Sequence, residues 1–99
     1  MDLPETGKAS WYADSENASG DPVDNVNDMT AAHRTLPFGT KVKVTRLNTG
    51  TSVIVTINDR GPFSGGRILD LRPRPAKLLK MTTAGVVRVR IEAVGDSDV

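Results

Sequence analysis

Thr51-Ser52-Val53-Ile54-Val55-Thr56-Ile57-Asn58-Asp59-Arg60-Gly61-Pro62-Phe63 carries more of the fold than any other stretch of this chain. Its first seven residues form an apolar, β-branched run, which predicts a strand buried on both faces. A carboxylate and a guanidinium follow at once, just ahead of a Gly-Pro turn. Neither enters an apolar core unpaired. Asp59 and Arg60 are therefore expected at the strand's mouth, held by a rigid scaffold, where sites are usually built. Two readings stay open here: an Asp-Arg pair that caps a turn, or part of a site.

Working outward, Lys41-Val42-Lys43-Val44-Thr45-Arg46 alternates cleanly, with Val42 and Val44 inward. Leu47-Asn48-Thr49-Gly50-Thr51 reads as a turn, because Asn and Gly tolerate positive φ, so this strand and Ser52 to Asn58 form a hairpin. Three more segments look like strands: Lys8 to Tyr12, Arg67 to Leu71, and Val86 to Val94 with Val87, Val89, Ile91 and Ala93 on one face. A short helix is predicted from about Pro75 to Met81, with Ala76, Leu79 and Met81 covering the strands and Lys77 and Lys80 in water. Pro73 and Pro75 suit its approach and first turn. Short strands, many turns and one small helix predict a mainly β fold closed into a barrel, which removes exposed sheet edges. Residues 13–28 are acidic, poor in core formers and expected to be a surface loop. Their Asp/Asn spacing does not fit a calcium loop, and no metal is expected.

At 99 residues the chain has room for one domain with a single core. It contains no cysteine, so neither a disulfide framework nor a cysteine metal site is available. No apolar run approaches the ~20 residues needed to cross a bilayer, and membrane insertion of this domain is not expected. Met1-Asp2-Leu3-Pro4-Glu5 lacks the basic start and apolar stretch of a signal peptide. Leu3-Pro4-Glu5-Thr6-Gly7 matches a wall-sorting motif but precedes the domain, where that signal does not operate. Net charge is +1, yet residues 1–30 carry seven acids against one base and residues 31–95 twelve bases against three acids. The basic half is not a nucleic-acid surface: Lys41, Lys43, Arg88 and Arg90 alternate with valines as solvent faces of strands. The four aromatics also do not interleave with the bases as stacking requires.

The one histidine, His33, lies in Met29-Thr30-Ala31-Ala32-His33-Arg34-Thr35-Leu36-Pro37-Phe38-Gly39-Thr40. Gly7-Lys8-Ala9-Ser10-Trp11-Tyr12 precedes it, and Asn58-Asp59-Arg60-Gly61-Pro62 and Gly66-Arg67-Ile68-Leu69-Asp70-Leu71 follow. In this order and spacing, from about Gly7 to Val94, the four blocks closely resemble the rare lipoprotein A (RlpA) family of double-psi β-barrels. The resemblance implies a single six-stranded barrel over residues 7–95, with one or two short helices and disordered ends at 1–6 and 96–99. It implies a monomeric protein of the periplasm or cell envelope that acts on peptidoglycan glycan strands, without a cofactor. In many members the activity is that of a lytic transglycosylase. A glycan-binding or expansin-like wall-loosening module without turnover is the alternative, and an interaction domain of a larger envelope protein is a third reading.

A lytic transglycosylase needs one carboxyl group that donates a proton to the glycosidic oxygen and then accepts one, with groups that stabilise an oxocarbenium-like transition state. The resemblance places that role on Asp59 and the family's histidine on His33, the two lining one groove. The family's third position, a glutamate after a Ser-Gly or Asn-Gly pair, falls on Asp21 after Ser19-Gly20, one methylene short. Glu16 is a weaker substitute. Tyr12, Arg60, Asp70 and Thr30 are the substrate-binding candidates. Asp70 fills the family's Asp-Leu-Ser position with Arg72 in place of serine, and anchoring Arg60 or Arg67 is its other reading. Trp11 is expected in the core.

Overall fold

The computed structural model describes residues 3–12, 29–63 and 65–94. In it, β1 (Glu5–Trp11), β2 (Thr30–Ala32), β3 (Lys41–Arg46), β4 (Ser52–Asp59), β5 (Arg67–Leu71) and β6 (Val87–Ala93) close into a barrel in the order β1-β5-β2-β4-β3-β6. The hairpin β3–β4 pairs antiparallel with Val42 opposite Val55 and Val44 opposite Val53. β3 then pairs with β6, so both predicted β segments belong to one barrel. Two parallel pairs, β1 with β5 and β2 with β4, thread the chain across the barrel instead of around it.

The interior follows from alternation. Val42, Val44, Val55, Ile57, Leu69, Leu71, Val89 and Ile91 all point inward at 5% exposure or less, packed with Ala9, Ala31 and Met81. β4 is buried on one face, not two: Val55 and Ile57 are buried whereas Ile54 and Thr56 are half-buried. In a barrel without a second covering layer, the outer face of such a strand stays near water.

The helix α1 (Pro73–Leu78) begins two residues before the predicted start. Pro73 opens it because a first-turn residue needs no amide donor and proline's φ already suits the helix. Lys80, at φ 56, ends the turn. Ala76, Leu79 and Met81 are buried and Lys77 and Lys80 exposed, as the amphipathic pattern required. β1 also starts earlier than expected. Glu5 and Thr6 pair with Ile91 and Arg90, and Leu3 packs on the core, so residues assigned to a terminal extension belong to the barrel. Gly7 has a packing reason: a Cβ there would stand 2.8 Å from Cγ2 of Ile68. Among the described residues no helix is long and apolar enough to cross a membrane.

Candidate active site

The site begins with an irregularity. Between β2 and β4 the register runs Ala31 opposite Ile57, then Ala32 opposite Asp59. One step of β2 matches two of β4, and this turns Asp59 to the face opposite the core residue Ile57. Ala32 pairs in turn with Asp70, and Asp70 with Ser10. Directly paired residues project from one face. Asp59, Ala32, Asp70 and Ser10 thus form a row across four neighbouring strands, turned away from the apolar interior. Ala32 is its low point, a methyl group between two carboxylates whose Cα atoms stand about 10 Å apart, two strand spacings.

Asp59 is sheltered, at 9% exposure. Its Oδ1 accepts from the Arg60 backbone N–H at 2.8 Å, and its Oδ2 accepts from the Tyr12 hydroxyl at 3.0 Å. Tyr12 itself is set by the strand: its N–H donates to the Leu71 carbonyl at 2.9 Å, and Arg72 lies over its ring at 5.2 Å. Asp70 accepts a hydrogen bond from the Ser10 hydroxyl, whose oxygen accepts from Arg67 Nη1 at 3.2 Å. Asp70 is therefore anchored by Ser10, with Arg67 one bond further out, and the expected direct pairing with an arginine gives way to that relay.

Arg60 commits part of its guanidinium to the backbone. Nη1 donates to the carbonyls of Leu36 at 2.8 Å and His33 at 3.2 Å, and the group lies 4.2 Å over the Phe38 ring. It clamps the 33–38 segment onto the end of β4. Gly61 follows at φ 124, a conformation that favours glycine, and lets the chain leave directly after the clamp.

His33 is a neighbour of Asp59 through the backbone, its N–H donating to the Asp59 carbonyl at 3.2 Å. The imidazole has other partners. Nδ1 accepts from the N–H groups of Thr35 and Leu36, each at 3.1 Å, so the ring proton sits on Nε2, which donates to Glu5 Oε1 at 2.9 Å. Among the described residues no hydrogen bond joins the imidazole to the Asp59 carboxylate. The two expected partners share a loop and a strand end, and the side chains are held apart by their own networks. The ring lines a cleft of about 380 Å³ with Leu3, Glu5, Arg34, Leu36 and Pro37.

Thr30, expected at the substrate, has its hydroxyl buried without a hydrogen-bond partner, a placement that offers nothing to a ligand. Trp11, expected in the core, is 36% exposed at the end of β1. Asp21 and Glu16 lie outside the described residues. Sequence reasoning missed Glu5, which alternation along β1 would have placed opposite Ile91 had the strand been started earlier. It also gave no role to Phe63, which stands 77% exposed four residues past Asp59, an aromatic face available to a sugar ring. Among the described residues no group of three metal-ligating side chains comes together.

The sequence profile of the family described as "Lytic transglycolase" matches residues 4–91. The chain belongs to this family. Among similar proteins, one of Synechocystis named "Probable endolytic peptidoglycan transglycosylase RlpA" is 50% identical over 92 residues, covering 89% of this chain and 28% of that protein. The namesake of Treponema pallidum is 53% identical, over 90% of this chain and 29% of its own length. The "Endolytic peptidoglycan transglycosylase RlpA" of Vibrio cholerae is 44% identical, over 91% of this chain and 35% of its own. The chain thus spans roughly a third or less of the length of these family relatives. In structure it resembles the Streptomyces papain inhibitor (TM-score 0.77, 24% identity, 96% of this chain and 97% of the other). It also resembles an expansin of Clavibacter michiganensis (TM-score 0.74, 21% identity, 95% and 52%). These two likenesses bear on the fold alone, and the fold is the double-psi β-barrel.

Proposed function

We propose that this domain cleaves the glycan strands of peptidoglycan in the cell envelope as a lytic transglycosylase, with Asp59 as the acid and base. The observation that carries the reading is the Asp59 carboxyl group. It is sheltered, aimed out of the core by the β4 irregularity, and gripped on both oxygens by Tyr12 and the Arg60 amide. Family membership supports the reaction class, and the names of the relatives support the substrate.

In this scheme the protonated Asp59 carboxyl gives its proton to the glycosidic oxygen as the C1–O bond breaks. The C6 hydroxyl of the muramic acid then attacks C1 and returns its proton to Asp59, leaving a 1,6-anhydro end without water as nucleophile. Tyr12 and the Arg60 amide fix the carboxyl group, and Ser10 holds Asp70 as the second carboxylate of the row. His33 acts by positioning: it ties the 34–36 turn to Glu5. Asp21 remains the candidate for the third family position. The domain works as a monomer in this reading.

Glycan binding without turnover is the second reading. Asp21, one methylene shorter than the glutamate of the family's third position, favours it. Glycan strands stripped of peptide stems decide between the two, with products followed by mass spectrometry. Anhydro ends from the wild type and none from Asp59→Asn, with glycan affinity retained, are expected. Equal product from both proteins removes Asp59 from the mechanism, and binding without product from the wild type establishes the second reading.

A further inference from the structure

Lys8 of β1 pairs directly with Arg67 of β5 on one side and with Arg88 of β6 on the other. Three cations therefore stand in opposed positions on three adjacent strands, an arrangement that repels across the sheet. Lys8 and Arg88 are exposed, and among the described residues no carboxylate pairs with either. Arg90, one pair further along β6 opposite Thr6, is paired with Glu92 at 3.7 Å and adds no free cation. The core lies on the other face.

The cation row adjoins the carboxylate row. Arg67 donates to the Ser10 hydroxyl, which donates to Asp70, and Ser10 follows Lys8 by two residues, about 7 Å of strand. A polymer lying over Asp59 and Asp70 passes the cations within about one sugar ring. Two carboxylates alone would repel an acidic polymer, and among the described residues Lys8 and Arg88 are the exposed cations placed to offset them. A neutral sugar needs no such counter-charge.

We infer that Lys8 and Arg88 form an anion subsite beside Arg67 that takes the carboxylates of an acidic glycan, the lactyl carboxylates of muramic acid in stem-free strands. The inference rests on the glycan reading of the Asp59 row and extends it from the bond cut to the substituent recognised.

The test is Lys8→Gln combined with Arg88→Gln, two exposed positions that touch none of the groups holding Asp59. The probes are stem-free glycan strands, the same strands with their carboxylates converted to methylamides, and vesicles containing phosphatidylglycerol. For carboxylated strands the double variant should raise Kd and KM roughly five- to tenfold with kcat unchanged, and the difference should fade as salt rises. Amidated strands should bind both proteins alike. The variant should melt no lower than the wild type, because like charges have been removed. Equal Kd values for carboxylated strands, or an equal loss on both strand forms, overturns the inference. So does a loss confined to vesicles, which assigns the row to a membrane surface. Anhydro product that Asp59→Asn abolishes, with the double variant indistinguishable from wild type, sinks the subsite and leaves the glycan reading standing. Carboxylate-dependent binding lost in the double variant, with no product from any protein, upholds the subsite and removes turnover.

Discussion

Arg60→Met separates a scaffolding arginine from a substrate-binding one. The guanidinium holds two backbone carbonyls, those of Leu36 at 2.8 Å and His33 at 3.2 Å, and covers Phe38 at 4.2 Å. Hydrogen bonds from a charged donor contribute about 1.5–3 kcal/mol each. Arg60 is half-buried, so the lower end applies, and two bonds contribute about 3 kcal/mol. The ring contact adds about 0.5 kcal/mol, while methionine keeps most of the apolar stem contact. The loss, about 3–4 kcal/mol, is a large part of the 5–15 kcal/mol typical of a domain. For a chain of this size it corresponds to a fall in Tm of roughly 15–25 °C. Urea and thermal unfolding, followed by the fluorescence of the single tryptophan, measure it directly. Arg60→Lys should fall between, since an ammonium cannot reproduce the planar fork. A methionine variant that melts within about 3 °C of wild type while KM for glycan rises would refute the scaffolding argument and return Arg60 to the substrate.

Three other outcomes follow from the same geometry. Tyr12→Phe removes the donor to Asp59 Oδ2 and should lower kcat on stem-free strands about tenfold or more, with Tm nearly unchanged; a fall in Tm without loss of kcat argues against it. His33→Asn keeps an acceptor close to where Nδ1 stands, so it should retain the 34–36 turn and most activity, while His33→Ala should lose about 1–3 kcal/mol. Complete inactivity of a folded His33→Asn protein would instead make the imidazole a proton carrier. Gly7→Ala forces a methyl to within 2.8 Å of Ile68 Cγ2 and should cost about 1–3 kcal/mol in urea unfolding, with Ile68→Ala in the same chain recovering part of it. Additive losses from the two substitutions would mean that the contact is not the cause.

The strands with strong alternation were legible one by one. Val42 and Val44, and Val87 through Ile91, announced their inward faces because a period of two is a local property of the backbone. The helix was legible for the same reason, displaced by two residues because proline serves equally before and inside a first turn. β2 was not read as a strand. Three residues, Thr30-Ala31-Ala32, carry no periodicity, and their pairing with β4 and β5 joins segments far apart in the chain.

The site divides along the same line. A carboxylate at a strand end before Gly-Pro pointed to Asp59 directly, whereas His33 and Asp70 were reached through the resemblance to the RlpA family and Tyr12 as an aromatic that could stack on a sugar. Their order in the chain says nothing about which face each side chain takes. A single irregularity opposite Ala31-Ala32 decides that Asp59 leaves the core and joins Asp70 and Ser10, since one residue of slip inverts a strand's faces. Arg60 became a clamp and His33 a partner of Glu5 for a similar reason. Buried carbonyls and amides must be satisfied by whatever donor or acceptor the folded chain brings within 3 Å or so. Residue types and their order by themselves determined a small closed barrel and the chemistry available to it. Only the closing of the sheet, with its non-local register, decided which of those groups face one another and which face the substrate.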